Sequence, residues 1–262
     1  MTLFRQFLRT QRTALLIWLG AVVLMALALA GTSQSMQQSD LVERLVPKLP
    51  PAFQALLGLV PGLSGIDSFI AAKLGVMLGL VLPAYACLLA VSAVTREVDA
   101  GRMDFLLALP IERRQLLIAR WAGMVVNLTI VAVGGWAALV AGLKANGIAG
   151  SYSGYFWMTV QALLLGLGCG SLAMLASIWL DDYGAAVKYI LGGLVVLFAL
   201  DLGMKVLNVS KLARGFNPFA YYDAALPIAK NHLLWGDALV MLATSLVAVW
   251  LAGRAFAGKQ IQ

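Results

Sequence analysis

A chain of 262 residues that is 61% hydrophobic and 12% charged, with a mean hydropathy of +0.89, carries too few polar side chains to cover a water-soluble globule of its size. That composition excludes a soluble domain and places the chain in a bilayer. The formal net charge of +7 then belongs with anionic inner-leaflet lipid, and nucleic acid is a poor second partner for it.

At the start, "TLFRQFLRTQRT" sets Leu3, Phe4, Phe7 and Leu8 among Arg5, Arg9 and Arg12 at helical spacing. Two readings stand: an amphipathic helix lying in the inner interface, or a basic flank that orients the first span. Crossing the hydrocarbon core takes roughly 20 apolar residues per helix. The runs at 14–30, 71–94, 119–143, 155–180, 187–204 and 236–256 meet that need with few interior charges. Strand-like alternation is absent from them, and helices satisfy their own backbone in lipid. The expected fold is an all-α integral membrane protein of six spanning helices, one membrane domain over residues 1–262. A secretory leader cleaved near "ALAGTS" is the lesser reading of the first run, which is long for such a segment.

Orientation follows from Lys and Arg at the span ends. With an inner amino terminus, Arg5, Arg9, Arg12, Arg96, Arg102, Arg113, Arg114, Arg120, Lys188, Arg254 and Lys259 are cytosolic. Arg44, Lys48, Lys73, Lys144, Lys205, Lys211, Arg214 and Lys230 fall outside. The bias is sharpest in the two early segments that usually decide insertion, so both termini are expected in the cytosol and the protein in the cell's inner (plasma) membrane, multi-pass.

The outer segment 31–70 opens with polar "GTSQSMQQSD", and its prolines and glycines divide the rest into pieces too short to cross. Pro83 removes a backbone bond within the second span. Cys87 and Cys169 both fall in spans and read as small packing residues, and the glycine cluster "GLGCGS" at 166–171 as close helix packing. Residues 205–239 hold short apolar pieces with Tyr221, Tyr222 and Trp235, which suit headgroup depth. They read as two short helices that dip into the outer leaflet and return.

Residues 95–120, "TREVDAGRMDFLLALPIERRQLLIAR", are the most polar stretch of the chain and wrap a short apolar centre. Gly101 allows a sharp turn, Asp104 suits a helix start, and Pro110 ends the helix that Asp104 opens. About two turns of helix are expected from Met103 to Leu109. Met103, Phe105, Leu106, Leu107 and Leu109 are too many apolar residues for a solvated loop and need a surface to bury against. The segment reads as a knob at the cytosolic tip of two membrane levers, available for a partner to grip.

This stretch resembles the signature of the ABC transporter type-2 permease family: acidic residues before a glycine, then "LLALP", an arginine, and a return to the membrane. "NPFAYYDAALPI" and the ending "FAGKQI" are similar to further family segments. The resemblance spans essentially the whole chain. It implies a permease subunit of an ATP-driven exporter that dimerises, with a second copy or a homologous permease, and docks two cytosolic ABC-type ATP-binding subunits through a coupling helix between the second and third spans. By position, Glu97, Asp99, Gly101, Asp104, Leu106, Leu107, Pro110 and Arg113 match, and Arg102, Met103, Phe105 and Leu109 complete the expected docking element. Arg96 stands where acidic pairs are common, and Lys259 and Gln260 lack the usual acidic member.

No GxxxxGK[ST] phosphate cradle occurs, so ATP and magnesium are expected on the partner, with no cofactor, metal or catalytic residue on this chain. Of the remaining charges, Asp201 lies near the outer end of the fifth span, one turn before Lys205, and is a candidate intramembrane charge. An i,i+4 pair or access to outer water would satisfy it. Should it, or Lys73, act as a charge relay, the chain would be an ion-gradient-driven secondary transporter or channel. His232 has no second ligand near it in sequence, and too few polar residues cluster for an intramembrane lipid-modifying enzyme.

Overall fold

The computed structural model describes residues 7, 9–37, 63, 65–99, 113–180, 182–207 and 209–258. Among these residues the fold is all-helical, with six helices long and apolar enough to cross a membrane. In chain order the elements are α1 (Arg12–Gln37), α2 (Gly65–Ile70), a π-helical turn (Ala71–Gly75), α3 (Val76–Asp99), α4 (Arg113–Ala145), α5 (Tyr152–Ser177), α6 (Tyr183–Val206), a 3₁₀ turn (Pro218–Tyr221), α7 (Leu226–Lys230) and α8 (Trp235–Gly258). The second span is composite: α2, the π turn and α3 form one crossing, Gly65–Ala93.

Helices begin and end where local chemistry allows. The polar residues after the first apolar run stay helical, and there Thr32 and Ser33 satisfy their hydroxyls on Leu29 O, at 3.0 and 2.7 Å. α1 therefore extends beyond residue 30, where the apolar run stops. The second span begins at Gly65, six residues before its apolar run. Asp67, which reads as a loop residue, accepts Tyr155 Oη–H at 2.5 Å and Ser151 N–H at 3.2 Å, so its charge is used inside the bundle. α6 starts at Tyr183 because Asp182 caps it, accepting Gly184 N–H at 2.8 Å.

α5 is the central helix, packed against α3, α4, α7 and α8, while α1 lies along α4 and α6 along α3. The most hydrophobic stretch of α5 is 72% buried inside the protein; that of α1 and that of α6 are each 17% buried and so present most of their surface outward. Small residues make the close contacts, as lipid-solvated helices require. Gly134, Gly135 and Gly142 of α4 receive Leu19, Val22 and Ala30 of α1. Gly166 of α5 faces the backbone of Leu82, and Gly170 faces Ala86 and Met124. The glycine cluster of α5 is thus a packing surface. Cys87 and Cys169 are buried and unbridged, with Cys87 Sγ donating to Cys169 O at 3.8 Å.

A Cβ at Gly170 would fall 2.8 Å from both Ala86 Cβ and Met124 Sδ. Gly170→Ala is therefore expected to lower stability by about 1–3 kcal/mol, read as an earlier thermal transition in detergent. Gly192→Ala on the open face of α6, where a Cβ would meet nothing within 4 Å, is expected to leave that transition in place.

Candidate functional site

The expected docking element joins α3 to α4. With six helices long enough to cross, α3 ends, and α4 begins, at the end of the bundle where α1 begins and α8 ends. Glu97 and Asp99 lie in the last turns of α3, and Arg113 is the first residue of α4. Gly101, Arg102, Met103, Asp104, Phe105, Leu106, Leu107, Leu109 and Pro110 lie outside the described residues, as does the short helix expected over 103–109.

The lever beneath that element is described. α4 has 33 residues, about 50 Å of helix against a hydrocarbon core of about 30 Å. It therefore projects into water or headgroups at its ends. Its first turns are seated: Leu116 and Leu117 are buried, Arg120 is almost wholly so, and Arg114 Cγ lies close to Gly253 of α8, at contact distance from where a Cβ there would stand. Phe7 fills the space beside Gly123 of α4, and Gln11 Nε2 donates to Ser92 Oγ of α3 at 3.0 Å. Ser92 in turn donates to Leu89 O at 2.8 Å. The basic start of the chain thus bridges α3 and α4 close to where they leave the bundle. Residues 1–6 and 8, the rest of the expected amphipathic helix, lie outside the described residues.

From this base a polar chain leads inward. Trp121 Nε1 donates to Ser171 Oγ of α5 at 3.0 Å, and Ser171 shares a hydrogen bond of 2.7 Å with Ser245 of α8. Tyr85 of α3 stacks on Trp18 of α1 at 5.3 Å between ring centroids and donates to Asn127 Oδ1 of α4 at 3.4 Å. α4 is thereby joined to the central helix, and α3 to α1 and α4, through side chains in direct contact. No residue of this chain of contacts stands out by composition.

A family model described as "ABC-2 family transporter protein" matches residues 4–256. The chain belongs to the ABC-2 transporter family. The match includes the polar stretch between α3 and α4, the six spans and the segment before α8. It makes this ABC-2 protein a multi-pass transmembrane permease of the ABC transporter class. No curated protein matches the chain.

At the far end of the ABC-2 protein, the segment before α8 holds two short helical pieces where two were expected. They are inserted in protein: Phe219, Ala220, Pro227 and Ile228 are buried, and α7 packs on α5. Asn217 fixes the first by accepting Phe219 N–H at 3.1 Å and donating to Leu197 O at 2.7 Å. Asp223 caps the second through Ala225 and Leu226 N–H, at 2.9 and 2.8 Å. Between them Tyr222 Oη–H donates to Gly75 O, the last carbonyl of the π turn, at 2.5 Å. Gly79 leaves room for its ring, and burial pushes the phenol's pKa up, so it stays a donor. Loss of this bond in Tyr222→Phe is expected to cost about 1 kcal/mol, seen as a lower thermal midpoint in detergent.

Asp201 is buried, and both its carboxylate oxygens are engaged. Lys205 Nζ lies 2.7 Å from Oδ2, and Arg214 Nη1 lies 3.0 Å from Oδ1. Sequence spacing identified the first partner; the second comes back across a turn of thirteen residues. Lys73 is exposed in the π turn. His232 meets Leu233 O through Nδ1, and no three His, Cys, Asp or Glu side chains come together among the described residues.

Proposed function

We propose that this chain is the permease subunit of an ATP-driven exporter, forming the translocation path and taking its energy from separate ATP-binding subunits. Membership of the ABC-2 transporter family carries this reading, and the charged, apolar-centred segment between α3 and α4 supports it. The complex would hold two ATP-binding subunits and two permeases, the second a copy of this chain or a homologue, in the cell's inner membrane with both termini in the cytosol. ATP and magnesium would sit on the partner, since no phosphate cradle is written in this sequence.

Coupling is mechanical in this scheme. Closure of the ATP-binding subunits displaces Met103, Phe105, Leu106, Leu107 and Leu109, held between Gly101 and Pro110. Glu97, Asp99, Arg102, Asp104 and Arg113 supply charges at the edge of the contact. The motion enters α3 and α4, whose bases are bridged by Gln11–Ser92 and Phe7–Gly123, and reaches α5 through Trp121, Ser171 and Ser245.

An ion-gradient carrier using Asp201 as a relay is less well supported. A relay carboxylate must exchange its partner during transport, whereas Asp201 holds a cation on each oxygen, one of them the largely buried Arg214. Purification of the tagged protein in mild detergent from its native membranes tests the proposal. A P-loop ATPase is expected to co-purify in stoichiometric amount. Recovery of the permease alone, with transport persisting in ATP-free vesicles under an ion gradient, would contradict it.

A further inference from the structure

Lys73 reads as a flanking cation of the second span, but that span begins at Gly65, which puts Lys73 about 12 Å of helix inside it. The other cations on spanning helices at that end of the bundle are answered within the protein. Lys144 stands over the Tyr152 ring, 5.4 Å from its centroid, and Lys205 pairs with Asp201. Lys73 is exposed, and no carboxylate or aromatic ring among the described residues pairs with it.

Its place is fixed. Lys73 is the middle residue of the π turn Ala71–Gly75, an insertion of the kind that recurs at functional sites. Ala224 and Met158 fill the space where a Cβ on Gly75 would stand, and Tyr222 Oη–H holds Gly75 O. Leu74, Leu78 and Leu82 turn inward and are buried. On the opposite side, one helical turn beyond Lys73, Val76 and Met77 are 36% and 45% exposed. The second span therefore carries an open face that is apolar below and cationic at its upper edge.

Whatever covers this face must match both parts. Hydrocarbon alone leaves the ammonium unsatisfied. A second copy brought up symmetrically at this point sets Lys73 against Lys73. An amphiphile with an anionic head is complementary to the face in charge and in polarity. Depth separates cargo from resident lipid. The 29-residue span is about 43 Å long, so centred on a core of about 30 Å it carries Lys73 below the plane of the lipid phosphates. Cargo crossing the membrane must pass that level, whereas a resident lipid keeps its head above it.

We infer that the face of Lys73, Val76 and Met77 receives an anionic amphiphile as cargo, its sulfate-, phosphate- or carboxylate-bearing head on Lys73 and its apolar body along Val76 and Met77. The inference rests on the permease reading and adds to it the chemical class of what is carried.

The test uses the permease purified with its ATP-binding subunits, in phosphatidylcholine vesicles. The probes are hexadecanesulfonate carrying a mid-chain diazirine and the matching uncharged alcohol. Photolabelling of the peptide with Val76 and Met77 is measured relative to the open face of α8 at Leu246 and Val247, which corrects for partition into the bilayer. The sulfonate is expected to exceed the alcohol several-fold in this ratio. Lys73→Gln is expected to bring the two probes to parity and Lys73→Arg to keep the difference, both with an unaltered thermal transition. ATP with magnesium is expected to lower the sulfonate signal as cargo is discharged. Equal ratios for the two probes, or a sulfonate preference that survives Lys73→Gln, would overturn the inference. A preference that depends on Lys73 but ignores ATP would overturn it in favour of a resident lipid head group. Absence of any co-purified ATPase would sink the permease reading and the cargo with it, whereas a complex that keeps its ATPase but shows no sulfonate preference sinks this inference alone.

Discussion

Replacing Leu106 and Leu107 together with glutamate is expected to abolish capture of the ATP-binding subunit while the permease still reaches the membrane. In the proposed scheme these two leucines are the centre of the docking knob, and burying each contributes about 1.5–3 kcal/mol. Forcing two carboxylates into the same cleft adds their desolvation to that loss. A combined deficit of about 4 kcal/mol or more lowers affinity by roughly a thousandfold. Insertion is expected to survive, because the flanking spans and the cations Arg114 and Arg120 are untouched. The readout is the ratio of ATPase to permease in the purified complex, compared with permease in the membrane fraction. Leu106→Ile with Leu107→Met keeps the apolar volume and is expected to retain capture. Undiminished capture by the double glutamate variant would remove the coupling assignment.

Asp201→Asn is expected to destabilise the far end of the bundle, and transport would fall with the amount of folded protein. Asp201 pairs with Lys205, whose side chain is 34% exposed and can turn to water, and with Arg214, which at 12% is held inside. Breaking a buried pair from one side leaves the other charge uncompensated, at about 3–5 kcal/mol. Removing both charges in Asp201→Asn with Arg214→Gln is expected to recover part of that loss, because no buried ion is then stranded. Thermal unfolding of the single and double variants in detergent reads both effects. An Asp201→Asn protein of unchanged stability whose transport had lost its pH dependence would instead mark a proton relay.

The six spans were legible because a helix crossing lipid must be apolar on nearly every face, and that demand is written in composition alone. Their ends were not, because polar residues at the ends are satisfied by distant partners. Asp67 reads as loop until Tyr155 and Ser151 are brought to it, and Thr32 and Ser33 until their hydroxyls fold back on Leu29. Among buried charges, Asp201 could be paired with Lys205 by helical spacing, whereas Arg214 arrives only through the turn it helps to close. The π turn at Ala71–Gly75 has no signature in "AAKLG". It becomes intelligible once Tyr222 is found on Gly75 O. For the proposed docking element, composition alone suggests a knob, which lies outside the described residues, and the structure describes only the bridged bases of α3 and α4 beside it.

The most direct measurement is photo-crosslinking in intact cells from an unnatural amino acid placed at Phe105, with the adduct identified by mass spectrometry. One dominant adduct with a P-loop ATPase is expected, its yield changing when nucleotide hydrolysis is blocked. Adducts with lipid alone, or with a protein lacking a nucleotide site, would contradict the assignment of this segment as the ATPase-coupled handle.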